Sequence, residues 1–452
     1  MKKFLPISIV IASFIILSLC GMEYPRFLDH FKTRDDFAIV GAFLSICFLL
    51  ISAFISLYAA HELKLPSFVV AIVLGIVSKS LFAPIISDKN SLFIIISLGA
   101  ALIVFGGGLE TEFSNFKKIF WKLLMLAFPG VLITAVLFTL SLFFVSALLG
   151  ITISITTGIL LGALLSSTDP AAIIPVLKNL KFKNVLVKDI VVSESAMNDV
   201  TGSLLTLLFI GIAVLTPQLS SMSDWYHQLF SFTGLNVLSK QLFFGLLFGI
   251  VGFIALYLLK RMKIVYHKEF HADIVFFIFV PILIFSLCIL FEGSGFLATF
   301  IAGLLFSITE HLDSSAEFYT NVTDGFFKPM IFVLLGALVH LEDLFHYADI
   351  GLLMSFIFIF ILRPFMVFGC LGIFSFFGKN RFTLNELLFI SFVRETGAIP
   401  AVLLVIISTK GLVHINGLVP IGMWVILSTL LFQPLLTHWL CKKLKIAETN
   451  KE

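Results

Sequence analysis

Thirteen apolar runs follow one another along this sequence, at 37–60, 65–86, 91–110, 123–149, 153–177, 187–215, 237–259, 272–291, 294–308, 326–341, 350–377, 383–408 and 417–441. A helix needs about 20 apolar residues to cross the hydrocarbon core of a bilayer. Most of these runs meet that length, and the connections between them are short. In lipid every backbone N–H and C=O must be satisfied within the protein, which leaves helices or closed barrels. The alternation of a porin strand is absent, so the sequence predicts an all-α polytopic membrane protein of about 13 transmembrane helices. A further apolar run at 4–20 follows Lys2 and Lys3. It reads equally as a signal peptide or as a first membrane helix, and both place residue 21 outside.

Composition agrees. The chain is 59% apolar and 13% charged, against about 45–50% and about 25% in soluble domains. It cannot cover itself with polar groups, which excludes a soluble enzyme. A net charge of +3, spread in short clusters, gives no footing to nucleic acid. The five cysteines, Cys20, Cys47, Cys288, Cys370 and Cys441, show neither a disulfide framework nor a zinc spacing. No cofactor motif is present, and no GxxxxGK[ST] loop, so the chain does not itself hydrolyse ATP. With the N-terminus inside, 21 of the 30 Lys and Arg fall on the cytoplasmic side and 7 outside. That is the bias expected of a correctly divided inner-membrane protein, and it places the C-terminus in the cytoplasm.

Charges at bilayer depth cost about 2.5–3.5 kcal/mol each on insertion scales, so they mark function by default. They are few: Asp169, Glu194, Asp199, Glu395, Arg363 and Arg394, with Glu110 near a span end. On a helix, Ser195, Asn198, Asp199 and Gly202 share one face. A carboxylate, an amide oxygen and a hydroxyl then point the same way, which is hard-oxygen chemistry for a small cation or a proton. Glu194 points about 100° away, which suits a buried Arg partner. Pro170 disfavours helix at Asp169, so Ser166-Ser167-Thr168-Asp169-Pro170 reads as a break in the fifth span. Arg394-Glu395-Thr396-Gly397-Ala398-Ile399-Pro400 reads as a break in the twelfth. Paired interruptions at corresponding positions point to a transporter site between inverted repeats. The organisation expected is an N-terminal segment and linker over 1–36, a first repeat over 37–215, a loop and linking helix over 216–259, a second repeat over 260–441 and a basic tail over 442–452.

At these residues the sequence resembles the monovalent cation:proton antiporters of the NhaP type. The matching pieces are Thr168-Asp169-Pro170, Glu194-Ser195 with Asn198-Asp199, Arg363-Pro364, and Arg394 with Gly397-Ala398-Ile399-Pro400. The resemblance implies 13 helices in two inverted six-helix repeats, a core domain in which broken helices cross, and a dimerisation domain. It implies that Asp199 binds proton and cation in turn, with Thr168 and Ser195 as oxygen ligands of the monovalent cation. Asn198 matches the Asn of the family's Asn-Asp pair, and Asp169 an essential core acid. Glu194 and Arg363 resemble a structural ion pair, and Arg394 an essential Arg of the twelfth helix. Two departures stand out: Gly106 where relatives often carry an acid, and the extra acid Glu395 beside Arg394.

The function expected is therefore exchange of sodium, and lithium with it, for protons across the cell inner membrane by a homodimer. Potassium/proton exchange is the alternative within the class, and a cation channel a more distant one. Antiport needs one site that holds a cation or a proton and never both, which a carboxylate withdrawn from water provides. An amide cannot titrate, so one titrating carboxylate beside Asn198 predicts electroneutral exchange. An intramembrane aspartyl protease would also place two Asp on neighbouring helices, but its Gly-x-Gly-Asp and Tyr-Asp pieces are missing.

Overall fold

The structure is a computed structural model that describes residues 5–30, 37–111, 113–168, 180–216, 219, 221–266, 272–309, 319–377 and 382–449. Among these residues, nine helices are long and apolar enough to cross a membrane, or ten if a pair bent by 85° is one span. The chain is a multi-pass membrane protein. Every apolar run holds a helix, but several of the expected spans are shorter or broken, so the count of 13 is not reproduced by length and apolarity alone.

Helix α1 (Leu5–Asp29) leans on α2 (Phe37–Leu63), where the Tyr24 hydroxyl donates to the Gly41 carbonyl at 3.1 Å. The second run is the bent pair, α3 (Ser67–Val77) and α4 (Ala83–Ser87), joined by a tight turn at Lys79–Phe82. Helix α5 (Lys89–Glu110) starts at Asp88, whose carboxylate accepts from the backbone N–H of Asn90 and Ser91. Helix α6 (Phe113–Met125) continues through a π-type turn at Leu126–Gly130 into α7 (Val131–Leu149). The sequence reading placed residues 111–122 in a connection. They form a helix because Phe116, Ile119 and Leu123 recur on one buried face while Lys117 and Lys118 stay exposed.

Helix α8 (Ile155–Leu165) is capped by Ser154 and ends in the non-helical residues 166–168. A short strand β1 (Leu180–Phe182) then leads to α9 (Val185–Leu215), capped by Asn184. Helices α10 (Met222–Leu229), α11 (Phe232–Tyr266), α12 (Ala272–Leu290) and α13 (Gly295–Phe306) follow. After a π-type turn at Thr323–Phe327 come α14 (Lys328–Leu338) and α15 (Leu341–His346). Helix α16 (Ala348–Ile357) passes through a π-type turn at Phe358–Leu362 into α17 (Arg363–Phe377). The run at 383–408 is split as expected, into α18 (Leu384–Phe392) and α19 (Ala398–Thr409), with residues 393–397 non-helical. Helix α20 (Leu418–Leu444) ends the bundle. The stretch expected to be a basic tail is in part a strand, β2 (Ala447–Thr449), paired antiparallel with β1.

Two crossings tie the first half of the chain to the second. Helix α3 crosses α14 at Gly75 and Gly336, and α5 crosses α13 at Gly108 and Gly303. A Cβ on any of the four would fall within 3.0 Å of a backbone carbonyl oxygen of the facing helix. Small residues bring membrane helices this close because packing, rather than water exclusion, holds them together. Backbone cannot yield as a side-chain tip can. Gly108→Val and Gly303→Val are therefore expected to destabilise the protein by about 1–3 kcal/mol, read as lost thermal stability in detergent. Gly211→Ala is the control, since nothing lies within 4 Å of a Cβ there.

Candidate ion-binding site

The site is built where the end of α8, the middle of α9 and the break between α18 and α19 meet. Helix α9 presents the expected face. Asn198 is fully buried, Ser195 lies one turn before Asp199 and is buried, and Gly202 completes the row. Gly202 has a steric role: an added Cβ would sit 2.7 Å from Ser167 Cβ, so only Gly lets residues 166–168 lie against α9. Asp169 and Pro170, read from the sequence as the centre of the first break, lie outside the described residues. Helix α8 does stop at Leu165, ahead of them.

Asp199 Oδ1 accepts a 2.5 Å hydrogen bond from the Ser167 hydroxyl. Thr168, the hydroxyl singled out from the sequence, has different partners. Its Oγ1 accepts from Asn198 Nδ2 at 3.2 Å and from an Arg394 guanidinium nitrogen at 3.5 Å. Ser167 was not singled out by the sequence reading. Three hydroxyls stand in a row at 166–168, and which one turns toward α9 depends on the backbone beyond the helix end.

Glu194 lies one turn before Asn198, on the side of α9 away from Asp199, and reaches into a cluster with both buried arginines. Arg363, the first residue of α17, lies 3.5 Å from Glu194 Oε1. Arg394 is closer, 2.5 Å from Oε2, and also donates to the Val191 carbonyl at 3.0 Å. The sequence paired Glu194 with Arg363; the structure adds Arg394 as the nearer partner. Asn198 Nδ2 donates to Glu194 Oε1 at 3.1 Å, so the amide links the ion cluster to Thr168 and the Asp199 face. Asn198 Oδ1 has no partner among the described residues.

The carboxylates differ in access. Glu194 and Glu395 are 0% exposed, while Asp199 keeps 9% of its surface open. Of these three, Asp199 alone keeps any exposed surface. On the second break, the Thr396 N–H donates to Thr429 Oγ1 at 3.2 Å, and the two hydroxyls lie 2.5 Å apart, fastening the non-helical segment to α20.

Comparison with known proteins gives the chain a family. The family described as sodium/hydrogen exchanger, transmembrane, matches residues 7–443. This chain belongs to the sodium/hydrogen exchanger family. Among curated relatives, this chain is 28% identical over 382 residues to a protein named K(+)/H(+) antiporter NhaP from Alkalimonas amylolytica, covering 81% of this chain and 60% of that one. It is 28% identical to a K(+)/H(+) antiporter NhaP2 from Shewanella baltica, covering 88% of this chain and 65% of the relative. The chain thus spans about two thirds or less of the length of these two relatives. A protein named Na(+)/H(+) antiporter 1 from Methanocaldococcus jannaschii is 25% identical, over 78% of this chain and 79% of its own. The fold of this chain matches the solved structure of the sodium proton antiporter MjNhaP1 from the same organism. The TM-score is 0.68 at 22% identity, covering 89% of this chain and 99% of that one.

Proposed function

We propose that this exchanger is a secondary antiporter that trades a monovalent cation for a proton at Asp199. The observation that carries the reading is the face made by Asp199 and Asn198, closed by Ser167 and partly open to solvent. Its oxygen groups suit a small cation. The carboxylate binds that cation when ionised and releases it when protonated, so the two species exclude each other. Asp169, Thr168 and Ser195 belong to the same site in this reading. Thr168 acts by holding Asn198 and Arg394 in place. Glu194, Arg363 and Arg394 form the charge-compensated frame on which the site is mounted.

The exchange proceeds by alternating access, with the two chain breaks at the point where core helices cross. Sodium, with lithium, is the cation favoured. Potassium is the second reading, supported by the names of the Alkalimonas and Shewanella relatives. The inverted repeats at 37–215 and 260–441 and a homodimer follow from the resemblance. An inner-membrane location with a cytoplasmic C-terminus is supported by the Lys and Arg bias between the two sides, to which Lys442, Lys443 and Lys445 contribute.

Competition at one carboxylate has a direct signature. Adding sodium, lithium or potassium to the purified protein in weakly buffered detergent is expected to release protons, saturably and only over the pH range where the site is protonated. Asp199→Asn is expected to release none. Cation binding without proton release would contradict the reading. Since Asn198 cannot titrate, exchange in proteoliposomes is expected to be unaffected by an imposed membrane potential. A potential that changes the steady state would overturn the electroneutral stoichiometry.

A further inference from the structure

We propose that a groove between α16 and α20 binds an anionic phospholipid, with an acyl chain in the groove and the headgroup at Lys442 and Lys443. The inference goes beyond the antiport reading and does not depend on it, since no residue of the groove belongs to the ion site. The groove has a volume of about 520 Å³, within the range of about 300–1,000 Å³ common to small-ligand sites. Its rim is apolar and exposed, with Phe356 on one side and Phe432, Leu435 and Trp439 on the other. Its length fits one leaflet. From Ser428 to Trp439 the α20 side runs about 16 Å, about half of a hydrocarbon core about 30 Å thick.

A bare hydrocarbon tail would need apolar walls alone, but the floor of the groove asks for more. Gln433 lines it, is fully buried, and has no hydrogen-bond partner for either amide atom among the described residues. Ser355, also on the floor, is satisfied within its own helix, donating to the Gly351 carbonyl at 2.7 Å. A buried amide with neither atom paired is costly, and a bound group that pairs with it removes the cost. The ester carbonyl of a phospholipid is such a group, an acceptor for Gln433 Nε2.

The end of the groove supplies charge. Trp439 stands at the rim, and Lys443 Nζ lies 4.3 Å from the centroid of its ring. Lys442 and Lys443 are both exposed. Over 442–449 three lysines stand against one acid, Glu448. Glu386, on the neighbouring α18, accepts from the Thr383 N–H at 2.7 Å in its own helix cap. Tryptophan and lysine at a helix end mark the membrane interface, and basic groups beside a cleft between helices recognise anionic headgroups. Gln433 precedes Trp439 by six residues, about 9 Å along the helix. The phosphate and the ester carbonyl of one phospholipid, a few bonds apart and each extended by a hydrogen bond, bridge that interval. A lipid seated here braces two supports of the core: Ile359 in the turn that leads into Arg363, and the helix whose Thr429 fastens the second break.

The test uses phospholipids with brominated acyl chains, which quench tryptophan on contact, added to the purified full chain in detergent. Brominated phosphatidylglycerol and brominated phosphatidylcholine are titrated against wild type, Trp439→Phe, Gln433→Leu and the double variant Lys442→Gln with Lys443→Gln. Wild type is expected to show a saturable component that Trp439→Phe lacks, half-complete at a several-fold lower fraction of phosphatidylglycerol than of phosphatidylcholine. The double variant is expected to lose that preference. Gln433→Leu is expected to keep the preference and to bind both lipids several-fold more weakly. Equal quenching of wild type by the two lipids, or wild-type affinity in Gln433→Leu, overturns the proposal. So does the absence of a Trp439 component together with cross-linking of α20 between two copies, which would seat a second copy in the groove. Gln433→Leu removes an unpaired amide, so it is expected to fold at least as stably as wild type without lipid. Should it not fold, photoreactive phosphatidylglycerol on wild type, mapped by mass spectrometry, decides instead. Labelling within 352–360 and 428–439 is expected, and labelling only elsewhere overturns the proposal. All these readouts are of binding, so exchange surviving in Asp199→Asn would defeat the antiport reading and leave this one standing.

Discussion

Asp199→Asn is expected to reduce cation-driven proton movement to the level of protein-free vesicles while leaving the protein folded. The side chain keeps its shape, and its amide oxygen can still accept from the Ser167 hydroxyl that lies 2.5 Å from Asp199 Oδ1. What is lost is the charge and the ability to titrate. Without them the site neither holds a cation nor trades it for a proton. Thermal stability in detergent is expected to change by no more than about 1 kcal/mol, the scale of one hydrogen bond. Ser167→Ala should act differently. It keeps the titrating group and removes a ligand-orienting bond, so exchange persists with a raised cation half-saturation. A folded, fully active Asp199→Asn would be incompatible with a carrier role for this carboxylate.

Glu194→Gln carries the second large effect, on stability rather than on ion binding. Glu194, Arg363 and Arg394 are all essentially inaccessible, and the one carboxylate serves both guanidinium groups, at 3.5 and 2.5 Å. Breaking a buried ion pair by removing one partner costs about 3–5 kcal/mol, because the remaining charge stays buried and uncompensated. Here Arg363 and Arg394 would both lose the carboxylate they share. The expected result is loss of folded protein from the membrane, measured as yield and as melting temperature in detergent. Arg394→Lys should be milder. It keeps a positive charge but gives up the planar reach that lets Arg394 serve Glu194, Val191 and Thr168 together. Normal yield and stability of Glu194→Gln would show that this cluster is not the frame of the site.

The helical faces were legible because spacing alone determines them. Ser195, Asn198, Asp199 and Gly202 fall on one side of α9 whatever packs against it, and Glu194 on another. The breaks were legible where Pro170, Gly397 and Pro400 announce them, and α8 and α18 do end just ahead of those residues. Contacts that depend on how distant segments meet were not legible. The choice of Ser167 over Thr168 as the partner of Asp199 is made by torsions after Leu165 that no periodicity encodes. The approach of Arg394 to Glu194 joins residues 200 positions apart, and α18 must stop at Phe392 for it to occur. The pairing of β2 with β1 likewise joins two short segments with no alternating pattern of their own. Helix α6 was missed for another reason: its charged face outweighed a narrow apolar stripe at Phe116, Ile119 and Leu123.

The central claim is that one partly open carboxylate is shared between a cation and a proton. It is tested most directly by collapse of a pH gradient in inside-out vesicles from cells without antiporters of their own. Sodium, lithium and potassium are added in turn across pH, with wild type beside Asp199→Ala. The account predicts saturable gradient collapse on adding sodium or potassium, lost in the variant at every pH. A gradient that no cation dissipates, or that the variant dissipates as well as wild type, would contradict it.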